Sequence, residues 1–482
     1  MYESRARGAA RANYFVSCRK GFLGGVALVA LSLTVQGGAR AETLMSAMGL
    51  AYVGNPDLNS QRANVRATDE TIPKATSGYR PTITAAAKTG RTQYTQETPP
   101  TLFTSGGRLD NLTTPTSYGL SVTQNVWNGN RTDNSVSQAE SEVLGAREQM
   151  RNTEQNVLLN AVTYYMNVLR DTAIYDLQQS NVQVLNEQLK QTKDRFQVGE
   201  VTRTDVAQAE AALAQGHSAA LTAQSNLKTS IANYHQIVGI DPKKLEPGKP
   251  LAAKMLPKTL DQAIATSQAE HPSIQAAMHG IDSAQLNVKV VEGSLYPTVN
   301  LVGSVQRDLD PSPSDKGFRT VTASIIAQIS VPIYDGGLTY ASVRQAKETL
   351  EQQRLQTDLQ RDTVRAAVVS AWGLYANSKL QIEAAQSQVT ASEVALNGVR
   401  EEAKVGQRTT LDVLNAQQTL INARVSLITA QRDQVVSSYA LLSAVGRLSA
   451  ATLALNVAKY DPQVHYNQVK DKWWGLRTPE GQ

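Results

Sequence analysis

The strongest constraint on the fold is that the second half of the chain repeats the first. A shift of 207 residues aligns Val198-Gly199 with Val405-Gly406, and this register holds without a gap over the stretch 136–238. Upstream of this stretch the shift becomes 216 residues, so the first copy contains nine extra residues. Self-similarity at a fixed period indicates a duplicated structural unit. We therefore predict two repeats, 42–255 and 256–446, followed by a tail, 447–482, without a counterpart.

Each repeat contains a segment that predicts an unusually long helix. Residues 131–196 contain no proline and a single glycine, Gly145, with apolar residues at helical spacing. The equivalent segment of the second repeat is 338–404. A helix of about 66 residues is about 100 Å long, which no single globular domain requires. After a glycine turn, each long helix is followed by a shorter return helix, 201–238 or 408–445.

Four segments alternate apolar and small polar residues with a period of two, which predicts β-strands. They are 79–94 and 117–127 in the first repeat, and 295–307 and 318–334 in the second. The stretches between the strands of each pair, 95–116 and 307–317, are rich in Pro, Gly, Thr and Asp and are predicted loops. Ten-residue strands of this kind are typical of a wall with lipid on one side and water on the other. A half-buried sheet in a soluble sandwich has the same pattern and remains an alternative.

Aromatic residues lie where predicted strands meet predicted helices, as in the aromatic girdles of membrane proteins. They are Tyr79, Trp127, Tyr296 and Tyr334. Four strands cannot close a barrel, and open sheet edges are not viable in lipid. Strands from several chains must therefore combine, and three chains would supply twelve strands, an even and plausible number.

The first 41 residues have the features of a secretory signal peptide, 1–41. Basic residues up to Arg19-Lys20 precede an apolar run, 21–35, and the segment ends in Ala39-Arg40-Ala41. Six basic residues and one acidic residue in this segment account for the formal net charge of +5. The remainder is neutral, so we expect no nucleic-acid partner. The single cysteine, Cys18, precedes the apolar run, so we expect neither a disulfide nor a lipid anchor in the mature chain.

Few residues are available for catalysis or metal binding. The chain has five histidines, and no carboxylate at ligand spacing completes a site with His271 and His279. It also lacks the phosphate-binding, metalloprotease and nucleophile-elbow motifs. We therefore expect no enzyme activity, no metal and no cofactor.

The two turns resemble those of the TolC family of outer-membrane efflux proteins. The resemblance covers about 43–450 and rests on the turns VGEVTRTDV (198–206) and VGQRTTLDVL (405–414), the strand-to-helix junctions WNG (127–129) and YDGG (334–337), and the duplication. It implies a mixed α and β membrane protein in the outer membrane of a Gram-negative bacterium. Three copies would form a 12-stranded β-barrel continued by an α-helical barrel in the periplasm. Each repeat would contribute two transmembrane strands and the long periplasmic helices.

The resemblance also implies a function and partners. The chain would be the exit channel of a tripartite efflux system, conducting small molecules. Its partners would be outer-membrane lipids, a periplasmic adaptor (membrane fusion) protein and an inner-membrane pump or ABC exporter. Two alternatives remain open, which are a channel for type I protein secretion and a periplasmic coiled-coil scaffold or adaptor.

The helix turns acquire roles from the same resemblance. It implies a periplasmic gate formed by Asp412, Asn415, Arg408, Thr204 and Asp205. In this gate Asp412 would form a charged ring, and Asn415 would replace a second charged ring. Arg408 would tether the second turn to Thr204 and Asp205, without the tyrosine that the family has at Ala403. The adaptor-contacting tips would be Val198, Gly199, Glu200, Val405, Gly406 and Gln407.

Simpler interpretations of these residues also exist. Asp205 and Asp412 could stabilise the first turn of a helix through its dipole. Gly199 and Gly406 are what a tight helix-to-helix turn requires. In the tail, Trp473-Trp474 could pack against the helices or bind a partner.

Overall fold

The computed structural model describes residues 42–310, 317–479 and 481. The predicted signal peptide, 1–41, lies outside the described residues.

Both repeats contain two helices, two strands, a long helix and a return helix in the same order, and the first repeat adds a short helix and a two-stranded hairpin. The first contains α1 (Leu44–Gly54), α2 (Pro56–Asp69), α3 (Thr71–Thr76), β1 (Thr82–Thr89), β2 (Thr92–Thr98), β3 (Gly107–Thr113), β4 (Thr116–Trp127), α4 (Arg131–Gln197) and α5 (Arg203–Val238). The second contains α6 (Leu260–Glu270), α7 (Pro272–Glu292), β5 (Thr298–Leu309), β6 (Arg319–Ser330), α8 (Leu338–Lys404) and α9 (Thr410–Ala444), and the tail adds α10 (Pro462–Val469).

The helix ends reproduce the sequence repeat. The long helices α4 and α8 have 67 residues each, and both of their ends differ by the same 207 positions. Helices α1 and α6 have 11 residues each and differ by 216 positions. A proline occupies the first position of α2 and of α7, where its missing N–H costs no hydrogen bond. Helices α4 and α8, like α1 and α6, thus begin and end at equivalent residues of the two repeats.

The main sheet has four antiparallel strands in the order β1-β4-β5-β6, two from each repeat. The repeats join at the β4–β5 pair, where Thr116 lies opposite Leu309. A β-bulge between Asn125 and Trp127 interrupts this pair next to the junction with α4. Within the described part of the chain, β1 and β6 each pair on one side, so the sheet has two open edges.

The stretch 95–116 was predicted to be a loop, and this prediction is wrong for most of its length. Strands β2 and β3 form a hairpin whose register, from Thr92↔Thr113 to Thr98↔Gly107, continues that of β1 and β4. The Thr95 hydroxyl donates to Asp110 at 2.6 Å across this hairpin. Threonine favours strands as a β-branched residue, and this preference outweighed the Pro and Gly content that indicated a loop. The extra length of the first repeat therefore extends this hairpin beyond the sheet.

The largest hydrophobic core lies where the middle of α4 meets α1, α5 and α9. Its fully buried large side chains include Tyr165, Tyr234, Leu158, Met48 and Leu441. Full burial of such a side chain contributes roughly 1.5–3 kcal/mol to folding. The Tyr165 hydroxyl also donates to the backbone carbonyls of Glu42 and Glu246, both at 2.7 Å. The core thus holds both Glu42, which precedes α1, and the linker after α5 against the long helix α4.

None of the helices in the described ranges has a segment long and apolar enough to cross a membrane.

Candidate functional site

The two helix turns have the same backbone structure. In the first, Gly199 has a left-handed φ of 81°, and the Glu200 N–H donates to the Arg195 carbonyl at 2.9 Å. In the second, Gly406 has a φ of 77°, and the Gln407 N–H donates to the Glu402 carbonyl at 2.9 Å. Left-handed glycines with this bond end helices and turn the chain back on itself. The turns, hereafter tip 1 (198–205) and tip 2 (405–412), are therefore matched structures.

The aspartate of each tip is part of a helix cap. In tip 2 the Thr409 N–H and hydroxyl both donate to Asp412 Oδ2 at 2.9 Å, and the Asp412 N–H donates to Thr409 Oγ1 at 3.2 Å. Thr202 and Asp205 form the same capping box in tip 1. Such reciprocal bonds satisfy backbone donors that have no partner at a helix start. Each aspartate thus has a structural role, which was one of the interpretations left open by the sequence.

The same bonds keep both carboxylates charged. The backbone N–H and then the hydroxyl of Thr409 lower the pKa of Asp412, with a further contribution from the positive charge of Arg408. The hydroxyl and then the backbone N–H of Thr202 lower the pKa of Asp205. Hydrogen bonds donated to a carboxylate stabilise its ionised form. Tip 2 therefore presents an ionised Asp412 at neutral pH.

Arg408 has a different partner from the predicted ones. Its Nε donates to Glu402 Oε2 at 2.8 Å, across the base of tip 2. Among the described residues of this chain, no hydrogen bond or ion pair joins Arg408 to Thr204 or Asp205. A carboxylate only six residues away in the same turn is a stronger and nearer acceptor than the threonine of the other tip. Tip 1 has an analogous pair, in which Arg195 Nε donates to Glu200 Oε2 at 3.0 Å.

The tips approach each other at Thr410, the first residue of α9. Its side chain lies next to Asp205 and contributes to the lowered pKa of that carboxyl. Asn415 lies exposed on α9, one turn after Asp412 and on the same side. Ala403 packs against the small core that joins α8 to α9. The sequence analysis missed Glu402 and Thr410, because only the turn geometry brings them to these partners.

Each tip exposes a valine at its end. Val198 is 71% exposed and Val405 is 72% exposed. Gly199 and Gly406 have open space around them, so the backbone of both turns is accessible as well. A single exposed apolar residue is common on protein surfaces and needs no explanation. An apolar side chain exposed at the same place in both repeats indicates a surface for contact. The tips thus offer two matched apolar points for contact.

The sheet has one apolar face and one hydroxyl-rich face. In neighbouring strands Leu120 lies opposite Val305, and Ile325, which is 81% exposed, lies in the adjacent row of the same face. On the other face the Ser304 and Ser324 hydroxyls are 3.0 Å apart. No part of the chain that the structure describes covers the apolar face, unlike the half-buried sheet of a soluble sandwich. Such a surface requires an apolar environment.

The predicted aromatic residues lie at the helix end of this sheet. The rings of Trp127 and Tyr296 are 6.4 Å apart between centroids in an edge-to-face arrangement. The Tyr79 hydroxyl donates to Asp133 at the start of α4. Tyr334 is exposed in the connection between β6 and α8. The four residues thus occupy the level at which strands give way to helices.

The histidines considered for metal binding have other partners. His271 caps α7, accepting from the Ser273 N–H at 3.2 Å through Nδ1, and burial lowers its pKa to about 4. His279 faces Asp282 at 3.7 Å on the same helix. Within the part of the chain that the structure describes, no group of three or more His, Cys, Asp or Glu residues is arranged to hold a metal ion.

Comparison with known proteins accounts for both repeats. The model of the "Outer membrane efflux protein" family matches residues 47–239 and 263–447. The chain is 42% identical to outer membrane efflux protein BepC of Brucella suis over 471 residues, which is 98% of this chain and 100% of that protein. It is 27% identical to outer membrane protein TolC of Escherichia coli over 447 residues, covering 88% of this chain and 86% of that one.

A solved structure has the same fold. The Campylobacter jejuni CmeC outer membrane channel superposes with a TM-score of 0.74 at 16% sequence identity, covering 89% of each chain. At this identity the likeness concerns the fold alone.

Proposed function

Since the chain belongs to the outer membrane efflux protein family, we propose that its two helix tips form the periplasmic gate of a trimeric channel. The protein is an outer-membrane exit channel of a tripartite efflux system, with its helical part in the periplasm, and it is not an enzyme. This assignment excludes the periplasmic scaffold or adaptor that the sequence left open. Channels of this family work with periplasmic adaptors and inner-membrane pumps or ABC exporters.

The open edges of the sheet support the proposed trimer. Among the described residues, β1 and β6 each lack a neighbouring strand on one side, and lipid provides no hydrogen-bond partner for an unpaired edge. Pairing β6 of one copy with β1 of the next satisfies both edges. Three copies supply twelve strands, an even number within the range of bacterial barrels. The uncovered apolar face then contacts lipid, and the hydroxyl-rich face lines the lumen.

The charges of tip 2 support a cation-attracting constriction. Three copies of Asp412 place three carboxylates around one axis, and a carboxylate ring in a narrow pore attracts cations. The positive charge of Arg408 is offset by its ion pair with Glu402, so Asp412 sets the sign of the ring. Asn415, one turn further along α9, adds an uncharged polar ring. A single charged ring predicts a moderate preference for cations.

The ends of the tips support the proposed adaptor contact. Val198 and Val405 are the most protruding apolar side chains of the turns. Gly199, Glu200, Gly406 and Gln407 complete the two surfaces, and Glu200 is held by its ion pair with Arg195. Two matched contact points per chain would become six in a trimer, which suits a partner that surrounds the channel end.

The observation that carries the gate proposal is the ionised, capped Asp412, and Asp412→Asn tests it. Asparagine still accepts the cap hydrogen bonds, so the change removes charge without removing the helix start. We expect Asp412→Asn to lower the cation-over-anion permeability ratio in single-channel recordings. Asp205→Asn makes the same change in the other tip and is the matched comparison: a smaller effect on the permeability ratio would assign the charged ring to tip 2. Equal permeability ratios for Asp412→Asn and the unmodified channel would overturn the placement of the constriction.

A further inference from the structure

The tail returns from the core to the helix end of the sheet. The backbone N–H of Tyr460 donates to the Tyr52 hydroxyl of α1 at 3.0 Å. Further along, His465 Nδ1 lies 2.9 Å from Asp69 Oδ2 at the end of α2. Because α1, α2 and α3 lead directly into β1, a tail that follows them reaches the start of that strand. It contacts the chain there through a hydrogen bond from Arg80 Nη1 to the Lys472 carbonyl at 2.8 Å.

At this point the tail forms a closed loop that displays apolar side chains. Lys472 Nζ donates to the Arg477 carbonyl at 2.6 Å and closes the loop. Gly475, with a φ of 110°, supplies the turn. Trp473 and Trp474 are 64% and 87% exposed, and Leu476, also within the loop, is fully exposed.

The loop is held in place by Arg80. The guanidinium of Arg80 lies 4.6 Å from the centre of the Trp473 ring, a cation–π contact, while Nη1 holds the backbone of Lys472. Arg80 directly follows Tyr79, one of the aromatic residues at the strand–helix boundary. The loop is therefore fixed at the level of those aromatic residues.

We propose that this loop is an interfacial anchor that binds the periplasmic leaflet of the outer membrane. The inference rests on the proposed placement of the sheet in the membrane. Tryptophan concentrates at the headgroup level of bilayers, and Leu476 adds apolar surface that the acyl-chain boundary can bury. In the segment 470–480, the basic residues Lys470, Lys472 and Arg477 outnumber the acidic residues Asp471 and Glu480, which favours contact with lipid phosphates.

The position of the loop separates this anchor from the proposed adaptor contact. The loop lies beside the start of α4, whereas tip 1 follows its end. A helix of 67 residues places these points about 100 Å apart. An adaptor that binds the tips therefore does not need the loop, whereas a membrane around the sheet lies next to it.

The four tryptophans of the chain allow a direct test, because they lie in three different places: Trp127, Trp372 and the pair Trp473-Trp474. Three variants of the assembled full-length protein would each keep one of these sites and carry phenylalanine at the others. Each would be reconstituted into phosphatidylcholine vesicles with brominated acyl chains, and its fluorescence compared with that in unbrominated vesicles. Iodide in the buffer would report exposure to water.

We expect bromolipids to quench the variant that keeps Trp473 and Trp474 to an extent comparable with the variant that keeps Trp127. The variant that keeps Trp372 is the negative control, because Trp372 packs against the core of the helical region. Quenching of Trp127 but not of the pair would overturn the anchor and leave the channel assignment intact. Iodide quenching of Trp473 and Trp474 would likewise overturn the anchor, because it would place the pair in water. Protection of the pair from both quenchers would also overturn it, because it would indicate a contact with protein. Absence of bromolipid quenching for both Trp127 and the pair would contradict the membrane placement itself.

Discussion

At the scale of single residues, one side chain serves both folding and the proposed gate. Asp412 caps α9 through Thr409 and is the charge that tip 2 presents. The sequence indicated Asp412 because its turn resembles that of the TolC family, with stabilisation of the first helix turn through the dipole as the simpler interpretation. The capping box with Thr409 is a finding of the structure. The sequence did not indicate the Arg408–Glu402 pair, since partner choice among long side chains depends on the path of the turn. The role of a side chain was thus predictable where a single helix turn fixes its geometry. A contact was not predictable where two flexible side chains must meet.

The lowered pKa of Asp412 makes a prediction about pH. A carboxyl whose pKa is lowered by folding stabilises the folded state at pH values above its unfolded pKa. This stabilisation is lost as the pH falls through the lower pKa of the folded state. Since an unperturbed aspartate titrates near pH 4, we expect cation selectivity to be constant at neutral pH and to fall only below about 4. Thr409→Val removes one donor to Asp412, so the fall should begin at higher pH. Reversal potentials measured over a pH series would check this.

Thr202→Val is the matched control for the pH series, because it removes the same hydroxyl from the cap of the other tip. It should leave the midpoint of the selectivity change where it is in the unmodified channel. A Thr409→Val channel with an unshifted midpoint would show that Asp412 is not the titrating group.

At the scale of helices and strands, the predictability of each element follows from the strength of its local signals. Left-handed glycines lie just outside both ends of α4 and α8, and the apolar spacing of both helices is sustained over many turns. The hairpin of β2 and β3 was missed because its side chains are polar on both faces, which hides the period of two. Helix α10 was missed because the tail has no repeat counterpart, and its position depends on partners distant in sequence.

The attachment of α10 depends on a buried hydrogen bond. His465 Nδ1 lies 2.9 Å from Asp69 Oδ2, and their side chains are 11% and 0% exposed. We expect His465→Ala to destabilise the docked tail by on the order of 2 kcal/mol, because it leaves the buried Asp69 carboxyl without its nearest hydrogen-bond partner. Thermal unfolding and limited proteolysis of the tail would measure this. Arg361→Ala is the control, because its pair with Asp358 is solvent-exposed and is worth less than about 1 kcal/mol. Equal proteolysis of the tail in both variants would contradict the prediction.

At the scale of the whole molecule, the sequence predicted an assembly of several copies, of which the structure describes one. The mixed α and β fold with two repeats, the outer-membrane location and the efflux function are confirmed. The need for several copies follows from four strands with two open edges, which is a matter of hydrogen-bond satisfaction rather than of any one residue. The number of copies stays a prediction, because it depends on strand tilt and curvature in the assembly.

Disulfide cross-linking across the two sheet edges tests the trimer. The only cysteine, Cys18, lies in the predicted signal peptide, so engineered cysteines would have no competitor. We expect Ala85→Cys in β1, combined with single cysteines scanned from Val321 to Ile329 in β6, to link chains on oxidation. Some positions should bring the two Cα atoms within the roughly 4.4–6.8 Å that a disulfide requires.

The cross-linked products should form a ladder on a denaturing gel that ends at three chains. The same scan with cysteines in β5 is the control, because that strand already has neighbours on both sides. A ladder that extends beyond three chains, or no product at any β6 position, would refute a closed trimer.

The equal length of α4 and α8, 67 residues each, constrains how such a protein can evolve. Deleting seven residues from one of them would withdraw its turn by roughly 10 Å while the other stayed in place. The two turns would no longer end at one depth, and the gate that we propose for them could not close. Adaptation to a wider or narrower space between the two membranes therefore demands paired insertions or deletions, one in each half of the gene.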